Sequence, residues 1–600
     1  MADSEKKWNR FQRLSVKSGK FSERAKRAEN ASVKHAHRFI IKRLHSAREV
    51  RRNIALWLLG MGVLIAVAAT QFFLFQSSYI TYAGGSGGTY AEGVRGEIKT
   101  LNPLYASTPG EQAVSRLMFS SLLTYDKTGK LRGDLAENVS VLDEGKRYRV
   151  TLRPNVLWHD HAKLTADDVV FTVGLIKNPA TSIPTSASWQ NVEVKKIDTR
   201  TVDFMLPSTY APFPNALTFA VVPQHILQKI TPGALRDSRF SAQPVGSGPF
   251  SFKLRQDIQG RDAHVVVHMN QNASYYGGTP KIERFQLHSY GASDSLSRAI
   301  RSHAVNAVNG VSLADYSQFV DDPAYAASLS PVHAGVYALF NTRSTGALSS
   351  VEVRQALQAG TDINAALKSL PVKVSPLETP ILSSQTDVSG IAKPAYDKTR
   401  AERLLDEAGW KKSPTGERKK GDEVLTLNVV TIKGADYEGV VESLVSQWRR
   451  LGVKAQLRTV DTSDPTQNLA SSVLQPRDFD VLVHELYLGA DPDVYAFWHS
   501  SQAVERGLNF SNYSNGISDD ALVSARLRLE DGLRNAKYQA FVRQWLKDAP
   551  ALGLYQSQMT YVHTKDSTAF DSGTTLITAT DRFNDVIYWS THQAPVYKTP

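Results

Sequence analysis

The sequence predicts a mixed α/β body of at least two lobes, carried behind a single N-terminal transmembrane helix. Three observations lead there. A charge-free apolar run, Ile54–Phe75, follows a strongly basic arm. Beyond it, alternating strands and short amphipathic helices succeed one another through Gly turns. The chain has 600 residues, 42% of them hydrophobic, which is more than one core absorbs, because single cores stop growing near about 250–300 residues.

The formal net charge is +12, but it is not spread evenly: residues 1–52 hold 16 Lys and Arg against 5 Asp and Glu. That arm carries +11, leaving the remaining 548 residues at +1. The run that follows is 22 residues long, or about 33 Å as a helix, enough to cross a hydrocarbon core of about 30 Å. Ala66-Val67-Ala68 resembles a signal-peptidase site. The apolar run continues through Phe72–Phe75, however, and a 52-residue leader is long for a signal peptide, so a retained anchor is expected. Arg48, Arg51 and Arg52 abut the span, and residues 77–88 beyond it carry no charge. The positive-inside rule therefore keeps the arm in the cytoplasm and exports the body. The arm reads as a clamp on anionic lipid rather than a nucleic-acid binder, each cation near the surface contributing about 1 kcal/mol. Zero cysteines exclude disulfides, thiol catalysis and a lipid-modified cysteine.

Residues 83–88 (AGGSGG) read as a flexible tether. In the body, Tyr148, Val150 and Leu152 alternate with polar neighbours as a half-buried strand. Thr165 and Asp168 form a capping box for a helix that buries Val169, Val170 and Val173. Val202, Phe204 and Leu206 alternate again, and His264–His268 (HVVVH) reads as a buried strand. Glu402–Ala408 is a helix stopped by Gly409. A second helix, about Val440–Arg450, ends before Gly452 and feeds a strand, Lys454–Val460. Helix, Gly turn and strand in repetition indicate α/β lobes.

Eleven segments then stand in one order. They include LNPLYAST (Leu101–Thr108), the run Leu123–Asp160, LTADDVVFTV (Leu164–Val173), PVGSGPFSF (Pro244–Phe252), YDKTRAERLLDEAGW (Tyr396–Trp410), FDVLVHELYLGADPDVYAFWHS (Phe479–Ser500) and APALGLYQS (Ala549–Ser557). In this the chain resembles the family-5 extracellular solute-binding proteins, the oligopeptide, dipeptide and nickel receptors of ABC importers. The resemblance implies a two-lobed, hinged, type II periplasmic-binding-protein-like fold with an extra subdomain in lobe one. It divides the chain into a basic arm (1–52), transmembrane helix (53–76), linker (77–88), lobe one (89–333), lobe two (334–555) and a return to lobe one (556–600). It further implies a monomeric receptor that captures oligopeptides, or another small solute, between the lobes and hands them to ABC permease subunits, with no cofactor, metal or catalysis. A receptor signalling through the basic arm is the alternative; a hydrolase lacks support, since His-Glu-x-x-His and cysteine are both absent.

Candidate ligand contacts follow. Leu101 and Asn102 belong to an Asn-Pro turn expected at the cleft edge. Ser247 and Gly248, in Gly246-Ser247-Gly248-Pro249, offer backbone to a ligand or make a structural turn. The richest segment is Glu485–Trp498, expected as a loop after the strand Phe479–His484, beyond strand carboxyl ends where α/β ligands sit. In peptide-binding relatives an Asp four residues before the Pro of this motif pairs with the peptide amino terminus; here that position is Leu488. Glu485 or Asp491 is then the carboxylate that could replace it, Asp491 equally a helix cap. Tyr487, Trp498 and Trp189 are pocket or core aromatics. Trp158-His159-Asp160-His161 reads as a structural loop rather than a chelate, and Arg354 as a surface or interlobe ion pair.

Overall fold

The structure, a computed structural model, describes residues 31, 34, 47–343, 346–462, 464, 466–570 and 572–597. Most of the basic arm, with the expectations attached to it, lies outside these residues. A helix Ala47–Tyr79 contains the stretch Val50–Gln76, which is long and apolar enough to cross a membrane. Gly84–Ala594 forms a separate compact unit. The expected tether is shorter than 77–88. Ile80–Gly84 is a strand, the Gly85 amide donates to the His592 carbonyl at 2.9 Å, and the Gly87 amide donates to that of Lys281 at 2.7 Å.

A ten-stranded sheet organises the body. Its strands, in chain order, are β1 (Thr89–Arg95), β2 (Phe250–Ile258), β3 (His264–Gln271), β4 (Arg284–Tyr290), β5 (Ala307–Asn309), β6 (Tyr325–Phe340), β7 (Thr426–Ile432), β8 (Lys454–Val460), β9 (Val481–Tyr487) and β10 (Ala551–Thr564). Across the sheet they run β8-β7-β9-β6-β10-β5-β1-β4-β3-β2. The long antiparallel pair β6 and β10 joins the lobes. β5 pairs with Tyr561–His563 at one end, and β9 pairs with Ala334–Phe340 at the other. The expected crossings at 333/334 and 555/556 lie inside these two strands. Between Pro331 and Gly335 the register slips; proline has no amide to give the ladder and an irregularity there bends the strand. Gly335 and Gly553 let residues 375–377 lie across this pair: a Cβ on Gly553 would stand 2.1 Å from the Leu377 carbonyl oxygen.

Lobe one adds a four-stranded antiparallel sheet, ordered Ala136–Leu142, Arg147–Leu152, Thr201–Met205, Glu193–Lys196. Beside it lies the helix Ala166–Lys177, whose capping box is formed as expected: Thr165 Oγ1 accepts from the Asp167 amide and Asp168 Oδ2 from the Thr165 amide. Lobe two buries apolar residues on both sheet faces, Val481 and Val483 toward the helix Glu438–Arg450, Leu482 and Leu486 toward the helix Asp531–Asp548. Gly409 and Gly452 take positive φ of 90° and 94° where the helices were expected to stop. β8 has the expected bounds, and the helix expected over 402–408 begins earlier, at Lys398, because Asp397 caps it. His264 and His268 flank buried Val266 and Val267 without being buried themselves; His264 stacks on Tyr290 at 4.2 Å.

The return segment is locked into lobe one by a buried ion pair. Arg582 Nη2 lies 2.5 Å from Glu92 Oε1, both side chains being 1% exposed or less. Tyr561 donates to Glu92 Oε2 at 3.0 Å and bonds the Tyr90 hydroxyl at 2.9 Å. The charges are thus paired and hydrogen-bonded, as burial demands.

Candidate functional site: the interlobe cleft

Alternation along β9 places Glu485 on the face of Val481 and Val483, at the point where the core ends. It sits opposite Val336 of β6, which in turn faces Tyr555 of β10; Ser557 follows two residues on. Asp436 and Tyr437 come from the turn between β7 and the helix Glu438–Arg450. Arg95 ends β1, and Leu313 begins the helix Leu313–Ser317 after β5. Together they line a cavity of about 290 Å³ with walls from both lobes. The Leu313 amide donates across it to Asp436 Oδ1 at 3.1 Å.

Burial pushes the Glu485 carboxyl above the usual range; neighbouring Asp436 adds to this and the Ser557 side chain opposes it. Asp436 is reachable by solvent, yet the protein around it thins its hydration and raises its carboxyl too, against the pull of the Leu313 amide and Arg95. Among the described residues, no cation stands at ion-pair distance from either carboxylate; Lys433, on the same wall, reaches Asp461 at 3.0 Å instead. Such a site can hold a polar group between lobes, because carboxylate, hydroxyl and amide side chains line it.

The other expected contacts are placed as follows. Glu485 and Tyr487 belong to β9, which runs three residues beyond His484, so the expected loop begins later. Tyr487 is 63% exposed, whereas Leu488 is buried and its amide donates to the His333 carbonyl at 2.8 Å. Asp491 is spent on Arg534, whose Nη2 donates to both carboxylate oxygens at 2.7 and 2.9 Å. It also accepts the Asp493 amide at 3.1 Å, an Asx turn. Trp498 packs edge-on against Tyr337 and Trp545 in the core of lobe two. Trp189 packs on Phe204, Phe213 and Phe219, and also walls a cavity of about 550 Å³ that Tyr495 and Arg526 close from lobe two. Leu101 and Asn102 are buried; Asn102 Oδ1 accepts the Leu104 amide at 3.2 Å. It thereby presents Pro103 and Leu104 to an open groove of about 360 Å³ on lobe one.

Gly246-Ser247-Gly248 packs backbone to backbone: a Cβ on Gly248 would stand 2.6 Å from Met118 carbon. His159 braces this turn, Nδ1 accepting the Gly246 amide at 3.1 Å and Nε2 lying 3.0 Å from the Gly248 carbonyl. Arg354 is not a surface ion pair. It is buried, and its guanidinium donates to the carbonyls of Leu348, Ser349, Asp548 and Ala549. It thus satisfies carbonyls at the end of the helix Asp531–Asp548.

One interlobe group went unread in the sequence. Asp493 Oδ2 accepts from the Tyr210 hydroxyl of lobe one at 3.1 Å and from Arg526 Nε at 2.9 Å. The Arg526 guanidinium lies 3.9 Å over the Tyr495 ring, and the Ala211 amide donates to the Arg526 carbonyl at 2.8 Å.

Known proteins share this architecture. The chain is 26% identical over 530 residues to the oligopeptide-binding protein AppA of Bacillus subtilis, covering 84% of this chain and 94% of that one. The structure of AppA in complex with a nonapeptide matches with a TM-score of 0.70 at 22% identity, over 84% of this chain and 99% of that one. NikZ from Campylobacter jejuni, in complex with Ni(L-His), matches with a TM-score of 0.71 at 24% identity, over 84% and 99%. These structures are two-lobed binding proteins, and their likeness is one of fold. A profile of the bacterial extracellular solute-binding proteins, family 5, matches residues 130–506. The protein therefore belongs to that family, whose members bind substrates for ABC transporters rather than catalyse reactions.

Proposed function

We propose that this protein captures oligopeptides in the interlobe cleft and delivers them, as a membrane-tethered monomer, to an ABC permease. The observation that carries the reading is the cavity between β9, β10 and the turn at Asp436, walled from both lobes by carboxylate, hydroxyl, amide and tyrosine groups. An extended peptide offers alternating N–H and C=O groups, and such walls answer them with donors and acceptors without dictating side chains. The curated relatives support peptide as the solute: AppA is named for oligopeptides, and a set of Brucella relatives is named as ABC transporter peptide-binding proteins. The helix Val50–Gln76 supplies the tether, with the basic arm inside. Tethering raises the receptor's effective concentration at its permease.

The test is ligand-induced stabilisation of the full chain in detergent. A ligand at a hundredfold excess over its dissociation constant adds about 2.7 kcal/mol to the native state. A mixed peptide pool raises the melting temperature if the reading is right. A rise with sugars or metal chelates and none with peptides overturns it. Carbonate extraction checks the anchor: the chain stays in the membrane pellet, and release into the supernatant contradicts the tether.

A further inference from the structure

Lobe one holds a cavity of about 240 Å³ that shares no residue with the interlobe one. Arginines at three positions line it. Arg116, the least exposed of them, is already bonded: Nη2 donates to Thr124 Oγ1 at 2.6 Å and to Asn584 Oδ1 at 2.7 Å, and Nη1 lies 3.6 Å from Asp134 Oδ2. Buried Asp134 also accepts the Ser121 amide at 3.0 Å and the Tyr276 hydroxyl. The charges of Arg116 and Asp134 therefore cancel. Arg132 and Arg153 differ. Both are exposed, and among the described residues neither stands at ion-pair distance from a carboxylate. Backbone carbonyls orient them instead: Arg132 Nη2 donates to that of Asn584 at 3.4 Å, Arg153 Nε to that of Asp134 at 2.6 Å, and Arg153 Nη2 to that of Gly133 at 3.5 Å. Each guanidinium has five N–H donors, so most stay unused. Asp585, the other acid in the lining, is exposed to solvent, where its charge is screened. Two like charges held at one concavity repel each other, and low-dielectric walls focus their field. An anion between them relieves that repulsion.

We propose that Arg132 and Arg153 form a binding site for a phosphate group on lobe one, distinct from the cleft and independent of the peptide reading. A guanidinium fork takes phosphate oxygens two at a time. A phosphomonoester brings about −1.5 to −2 charges and three terminal oxygens, which suits two forks, whereas a carboxylate brings one charge and two oxygens. Two carriers have this chemistry, a soluble phosphate ester and a phospholipid headgroup. The lipid enters because of what the cavity wall adjoins. Its Ile587 carbonyl accepts the Lys281 amide at 2.9 Å, and Lys281 Nζ donates to the Gly84 carbonyl at 3.2 Å. Only four residues of chain lie between Gly84 and the end of the apolar helix at Tyr79.

The test is calorimetry on the full chain in phosphate-free detergent buffer, titrating inorganic phosphate, glycerol 3-phosphate and acetate, with phosphatidylglycerol in mixed micelles as the lipid arm. A phosphate carrier binds, and acetate binds at least about tenfold more weakly. Arg132→Gln and Arg153→Gln each weaken the phosphate carrier about tenfold, the loss of hydrogen bonds to a charged group, and the double variant abolishes binding. Arg132→Lys, which keeps the charge without the fork, recovers only part. Arg132 gives up a single 3.4 Å bond within the protein, so its variants carry the test if Arg153→Gln fails to fold. Binding of inorganic or glycerol phosphate assigns a soluble ester, and binding of phosphatidylglycerol alone assigns the headgroup; both sustain the site. No binding in any arm, acetate as tight as phosphate, or phosphate binding that survives the substitutions overturns it and leaves the peptide reading standing.

Discussion

Tyr210→Phe removes the hydroxyl that clasps the lobes, which also accepts from Arg526 Nη2 at 3.3 Å. The Tyr210 hydroxyl donates at 3.1 Å to Asp493, whose carboxylate is also held by Arg526 within lobe two. Phenylalanine keeps the ring beneath the Arg526 guanidinium, 5.0 Å away, and deletes only the hydroxyl. A hydrogen bond to a charged, mostly buried acceptor contributes about 1.5–3 kcal/mol; Arg526 still neutralises Asp493, so the lower figure applies. About 1.4 kcal/mol is a factor of ten in an equilibrium, so the closed-to-open ratio falls about tenfold. If ligand binds only the closed form and that form is the minor one when empty, the apparent dissociation constant rises by the same factor. Calorimetry gives the affinity, and small-angle scattering of the empty protein gives the lobe spacing. An affinity within twofold of wild type, with unchanged scattering, refutes the claim that this contact governs closure.

Three further outcomes follow from the structure. Arg582→Met leaves Glu92 without its counter-charge in the core of lobe one, with the Tyr561 hydroxyl still donating to it, a loss of about 3–5 kcal/mol; a urea midpoint change equivalent to less than 1 kcal/mol contradicts the buried pair. Gly553→Ala drives a methyl into the Leu377 carbonyl and costs about 1–3 kcal/mol by overpacking, read from the same transitions. Glu485→Gln alters the pH profile of the empty protein. Burial raises the Glu485 carboxyl, so the native state keeps this proton to higher pH than the unfolded chain does. Its contribution to stability therefore declines as pH rises from the ordinary glutamate value, about 4.3, through the raised one. Asp436, which faces it along with Arg95, Tyr437 and Tyr555, titrates in the same direction. The glutamine variant melts level with wild type below that window and above it at neutral pH; equal melting at both ends contradicts the account.

Local chemistry made much of the fold legible. The Thr165 and Asp168 box, the stops at Gly409 and Gly452, and the alternation of Tyr148, Val150 and Leu152 are all set by neighbours within a few residues. Contacts made over hundreds of residues left no such mark. Nothing near Tyr90 announces its bond to Tyr561, and nothing in Arg354 distinguishes a surface cation from one filled by four carbonyls. β9 was cut short at His484 because Glu485 breaks the apolar pattern; the strand continues since pairing with β6, not hydropathy, sets its end. The site was legible in part. Glu485 stands in the interlobe cavity, but Asp436 and Ser557 come from elements about fifty and seventy residues away, and only the folded sheet brings them together. Asp491 read as a ligand carboxylate or a helix cap, and not as an ion pair, because its partner Arg534 lies 43 residues on.

The central claim is that peptide binds where β9, β10 and the Asp436 turn meet. Photo-crosslinking tests it most directly. A bound peptide carrying a diazirine side chain is irradiated on the full chain, and the labelled residues are mapped by mass spectrometry. The account predicts labels within residues 432–437, 485–487 and 555–558, suppressed by excess unlabelled peptide. Competable labels confined to other surfaces would contradict it.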